Sequence, residues 1–80
     1  MKITIENTSV ITQLVVNGID VPARIWQGET DSGVPVHVFI TRIAPEIPKD
    51  DPRQEQFIKE LKEQAAPRPT VVTIPLRMIL

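Results

Sequence analysis

The chain has 80 residues, 41% of them hydrophobic, and sets nine Lys and Arg against ten Asp and Glu for a formal net charge of −1. A chain this short buries only about 60% of its unfolded surface, enough for one compact domain over residues 1–80 and too little for a large multi-domain enzyme. With no Cys, disulfides, zinc–thiolate sites, iron–sulfur clusters and thiol catalysis are excluded together.

Balanced charge also removes the broad cationic footprint of a general nucleic-acid binder, although a local basic patch stays open. The start, Met1-Lys2-Ile3-Thr4-Ile5, has no apolar signal region, and no stretch approaches the roughly 20 apolar residues of a membrane span. The expectation is a soluble, intracellular protein with no membrane partner. Nine Val and eleven Ile against four Leu favour pleated surfaces over helices, and eight prolines favour punctuated strands.

In chain order, Lys2 to Glu6 alternates and predicts a short first strand, ended by Asn7-Thr8-Ser9, which matches a glycosylation pattern but reads as a polar turn. Val10 to Val16 is a second strand. Asn17-Gly18 supplies the two positive-φ positions of a type I′ turn into Ile19 to Gln27, with Val16 facing Ile19, Leu14 facing Val21 and Val10 facing Ile25. Glu29-Thr30-Asp31-Ser32-Gly33 predicts another turn into Val34 to Ile43. Pairing position 26 with 37 sets Ile25 against Val38 and Ala23 against Ile40, and lines one face with Ile19, Val21, Ile25, Val36, Val38 and Ile40.

After the connector Ala44 to Asp50, Asp51 predicts an N-cap, with Pro52 at the first helical position and Gln54 closing a capping-box-like arrangement. The helix should run to about Gln64 and pack its stripe of Phe57, Ile58, Leu61 and Ala65 on that face. Glu55 with Lys59, and Lys59 with Glu63, would pair on its wet side. Ala66-Pro67-Arg68-Pro69 ends it. Thr70 to Leu80 alternates as a last strand, with Val72, Ile74, Leu76, Met78 and Leu80 on one side and Pro75 marking an edge or bulge. The predicted class is α+β: a mostly antiparallel sheet of four to five strands with one α-helix packed on one face.

Little here carries chemistry. His37 has no carboxylate predicted beside it and reads as a sheet histidine. Glu29, Thr30, Asp31 and Ser32 superficially resemble an oxygen-rich calcium loop, but their spacing matches none and the turn needs these residues itself. Ser32 lacks a base and a nucleophile elbow. The sequence therefore predicts no enzyme, no cofactor and no metal.

The sheet face turned from the helix is more informative. Strand parity gathers Arg24, Trp26, His37 and Phe39 there, with Thr41, Ile11 and Val15, and extends to Thr73 and Arg77. This face holds the only Trp and one of the two Phe. Three readings compete: an interface with a second copy or a host protein, a single-stranded nucleic-acid surface that stacks bases between arginines, or a second core covered by connectors. Arg24 opposite Phe39 would in addition be a cross-strand cation–π pair.

Met1-Lys2-Ile3-Thr4-Ile5-Glu6-Asn7-Thr8, Val21-Pro22-Ala23-Arg24-Ile25-Trp26-Gln27-Gly28-Glu29-Thr30, Ser32-Gly33-Val34-Pro35-Val36 and Ile40-Thr41-Arg42-Ile43-Ala44 resemble a family of small uncharacterised bacteriophage and prophage proteins. The likeness continues through the helix to Pro75-Leu76-Arg77-Met78-Ile79-Leu80. It implies a phage origin and action in a bacterial host cytoplasm, and it carries over no activity, cofactor or catalytic residue. The expected function is that of a non-enzymatic accessory protein binding itself or a host factor through Arg24, Trp26, His37, Phe39 and Arg77, with single-stranded nucleic-acid binding as the alternative.

Overall fold

Asn17 and Gly18 sit at φ 52° and 78°, the left-handed pair that a type I′ turn demands. They join β1 (Ile3–Val16) to β2 (Ile19–Thr30), with Val16 opposite Ile19 and Leu14 opposite Val21 as expected. The computed structural model describes residues 1–73, and side chains as far as residue 71.

The two strands expected before this turn are one. Asn7-Thr8-Ser9 does not turn the chain but forms a bulge, in which Thr8, Ser9 and Val10 face Ile25 alone between the pairs Asn7–Trp26 and Ile11–Arg24. The Thr8 hydroxyl stands in for the interrupted ladder, donating to the Ile25 carbonyl and accepting from the Val10 N–H, while the Arg24 guanidinium donates to the Thr8 carbonyl at 2.9 Å. Because the bulge adds an even number of residues, Ile3, Ile5, Asn7 and Ile11 stay on one face.

The second turn overturns the expected register. The Gly33 N–H donates to the Thr30 carbonyl and the Thr30 N–H to the Val34 carbonyl, each at 2.9 Å, so Asp31-Ser32-Gly33 is a three-residue loop with Gly33 at φ 87°. An odd loop moves the partner strand by one. In β3 (Pro35–Ile40), Trp26 pairs with Val38 rather than His37, Ile25 with Phe39 and Arg24 with Ile40. The apolar face expected to hold both Ile25 and Val38 is thus divided between the two sides of the sheet.

The described residues form a three-stranded antiparallel sheet in the order β1-β2-β3, plus one α-helix, in an α+β arrangement. The helix, α1 (Arg53–Leu61), is shorter than expected. Asp51, expected as the N-cap, lies one residue before the observed cap position, Pro52, which makes no side-chain cap bond; its carboxylate still accepts the Arg53 N–H at 2.8 Å, while Gln54 reaches the Pro48 carbonyl and leaves the capping box open. No residue of α1 is buried, and Ile58 is 49% exposed; Phe57 and Leu61 are half-buried. Its wet face shows a Gln56–Glu60 hydrogen bond, and the described ion pairs do not include the expected Glu55–Lys59–Glu63 series.

Beyond α1 the chain passes β1 at the bulge, where the Ala65 N–H donates to the Asn7 carbonyl at 2.7 Å. It then crosses the opposite face, where buried Gln27 donates to the Ala66 carbonyl and accepts the Arg68 N–H. Val71 is buried, as are Ala23 and Ile25. Pro69–Thr73 forms a 3₁₀ turn where a strand was expected. Ile74 to Leu80, including Pro75, Leu76, Met78 and Leu80, lie outside the described residues.

Candidate binding cleft at Trp26

The odd turn separates the side chains expected to share a face. Arg24 and Trp26 lie with Val38 and Ile40 on one side; His37 and Phe39 lie with Ile25 and Gln27 on the other. Arg24 is therefore not the cross-strand partner of Phe39. On the second side Gln27 holds the crossing segment, and His37 Nε2 lies 3.4 Å from the Thr70 hydroxyl. Part of the anticipated bare face is thus covered. Arg77 lies outside the described residues.

The face bearing Trp26 is the one that α1 approaches, contrary to the expectation that the helix packs on the other. Asn7, opposite Trp26 in the ladder, donates its Nδ2 proton to the Leu61 carbonyl at 2.7 Å and fixes the helix end there. Asn7 is 5% exposed, and its Oδ1 is buried without a donor among the described residues. An unsatisfied buried acceptor costs about 1–3 kcal/mol.

Trp26 stands between two cavities. The larger, of about 550 Å³, opens where β3 stops and the chain turns away after Ile40. Its apolar wall includes Ile11, Ile40, Ile43 and Leu61, and Arg24, Arg42 and Lys62 also line it. No carboxylate lines it among the described residues, and neither Arg42 nor Lys62 is in a described ion pair. The smaller cavity, of about 290 Å³, is bounded by Asn7, Trp26 and Ala65, with Glu6, Glu63 and Gln64.

The end of β3 has a cause in β2. Hydrogen-bonded pairs alternate along an antiparallel ladder, so the Thr30–Val34 bond makes Gly28, Trp26 and Arg24 the positions whose peptide groups point at β3. The next such position is Pro22, which has no N–H to offer. The ladder ends one step earlier, at Arg24–Ile40, and the vacated space becomes the cleft.

Sequence reasoning located Trp26 and Arg24 but missed Arg42, Lys62 and Asn7. Arg42 and Lys62 reach the cleft through irregular connections that carry no periodic signal, and Asn7 was hidden by its turn-like neighbours. Among the described residues no helix is long and apolar enough to cross a membrane, and no three His, Cys, Asp or Glu side chains form a group that could hold a metal ion. No family model, curated protein or solved structure matches the chain.

Proposed function

We propose that this is a non-enzymatic accessory protein of a bacteriophage or prophage, acting in the host cytoplasm by binding another protein through the Trp26 cleft. One observation carries the reading: the chain's only Trp lies half-buried on an apolar cavity that, among the described residues, is lined by three cations and no acid. Trp and Arg in partly desolvated pockets dominate interface energetics, and one sign of charge selects a partner of the other. His37, the only imidazole, is on the opposite side of the sheet and contributes nothing to the cleft.

The test is the mass of the species formed in solution, alone and after exposure to host lysate. Complexes of the wild type should disappear in Trp26→Ala and in the double variant Arg42→Glu/Lys62→Glu, whose two sites are exposed. A wild type that stays monomeric and retains nothing would reject the proposal, as would a complex indifferent to both variants. Single-stranded nucleic acid is the second reading, favoured by Trp26 lying among Arg24, Arg42 and Lys62. It requires salt-dependent quenching of Trp26 fluorescence by an oligonucleotide.

A further inference from the structure

We infer that the cleft receives a short acidic segment of the partner, which inserts a bulky aliphatic side chain against Trp26 and sets its carboxylates on Arg42 and Lys62; this rests on the protein-binding reading above. Three observations define that occupant.

The first is charge. Arg24 is already committed to the Thr8 carbonyl, whereas Arg42 and Lys62 carry exposed charges in no described ion pair. The Leu61 carbonyl at the end of α1 would oppose an anion, but it is occupied by Asn7. The cleft therefore presents net positive charge over an apolar floor, on a chain whose formal net charge is −1.

The second is shape. A cavity of about 550 Å³ walled by Ile11, Ile40, Ile43 and Leu61 suits one or two branched apolar side chains. A nucleic-acid track needs a run of stacking platforms beside a basic groove, and among the described residues this cleft has one aromatic ring.

The third is the edge. A peptide could in principle continue the ladder where β3 leaves off, but the positions of β2 that point there are Pro22, without a donor, and then Asp20, whose carboxylate repels an acidic strand. The segment is consequently held by side chains and not by strand addition.

The experiment is a titration of Trp26 fluorescence at low salt with three probes: acetyl-Glu-Asp-Leu-Leu-Asp-Glu-amide, its Gln/Asn isostere, and oligothymidylate. The acidic peptide should shift the emission, bind about tenfold more tightly than the isostere, and lose about tenfold in Arg42→Glu/Lys62→Glu. Equal binding of the isostere, tighter binding of the oligonucleotide, or no response to the peptide at millimolar concentration would each overturn the inference. If the peptide fails while Trp26-dependent protein complexes persist, only the acidic-segment assignment falls; if those complexes are absent too, the protein-binding reading falls with it.

Discussion

Gln27 is a polar side chain almost without exposure, and both ends of its amide are used: Nε2 donates to the Ala66 carbonyl at 3.0 Å and Oε1 accepts the Arg68 N–H at 2.9 Å. It binds a passing chain as a neighbouring strand would. Gln27→Leu strands two backbone groups under the crossing segment and should cost about 1–3 kcal/mol in a urea melt. The nearby Arg68–Glu29 ion pair is too exposed to compensate. Gly28 is constrained differently, since a Cβ there would overlap the Thr4 carbonyl oxygen and the Ile5 backbone across the ladder. Gly28→Ala should destabilise by about 1–3 kcal/mol or more, because backbone, unlike a flexible side chain, cannot move aside cheaply. The same melt measures it. Neither residue announces its role in the sequence: Gln27 occupies an ordinary strand position, and Gly28 reads as a strand end. Asn7 is hidden in the same way, because Asn-Thr-Ser has the composition of a turn whether it reverses the chain or interrupts a ladder.

The elements differ in how much of themselves a local reading reveals. Asn17-Gly18 admits one turn type, which fixed the pairing of Val16 with Ile19 and of Leu14 with Val21. Asp31-Ser32-Gly33 admits loops of even or odd length, and the choice rests on whether Gly33 closes the loop at positive φ or begins the next strand. That one-residue ambiguity moved Trp26 from beside His37 to beside Val38, and with it the candidate site. Gly33→Val should therefore strain the second hairpin by about 1–2 kcal/mol, measurable as a lower denaturation midpoint. For α1, Asp51 was legible as an acceptor at the helix start, although the cap position itself falls one residue later, on Pro52. The side-chain hydrogen bond from the Arg53 guanidinium, helped by its backbone N–H, holds the Asp51 carboxyl below its ordinary 3.8 and raises Arg53. A depressed carboxyl contributes its stabilisation above pH 3.8 and loses it as pH falls through the lowered value. In an acid titration the midpoint of the Arg53 amide resonance shift should fall below pH 3.8.

At the scale of the molecule, the described sheet is three strands deep only from Arg24 to Glu29, while Ile11–Val16 and Ile19–Ala23 continue as a two-stranded ribbon. That ribbon exposes Ile11 and Val15 on one side and Val16 and Ile19 on the other. Two strands without a covering layer are marginal in water. Hydrogen exchange should consequently release the amides of the Leu14–Val21 pair well before those of the Trp26–Val38 pair. A reversed order would show that the ribbon gains its stability elsewhere. The difference also explains why the cleft sits where it does, at the junction between the anchored and the projecting parts of β2.

Pro22 also bears on pairing between copies of the chain at high concentration. The projecting ribbon has apolar residues on both sides and a bare margin, the combination from which molecules polymerise into fibrils. A ring in place of a peptide proton puts a gap in the template just where a neighbour would begin to zip on. The residue that ends β3 and hollows out the cleft thereby also takes one donor out of the margin on which a second copy would have to pair.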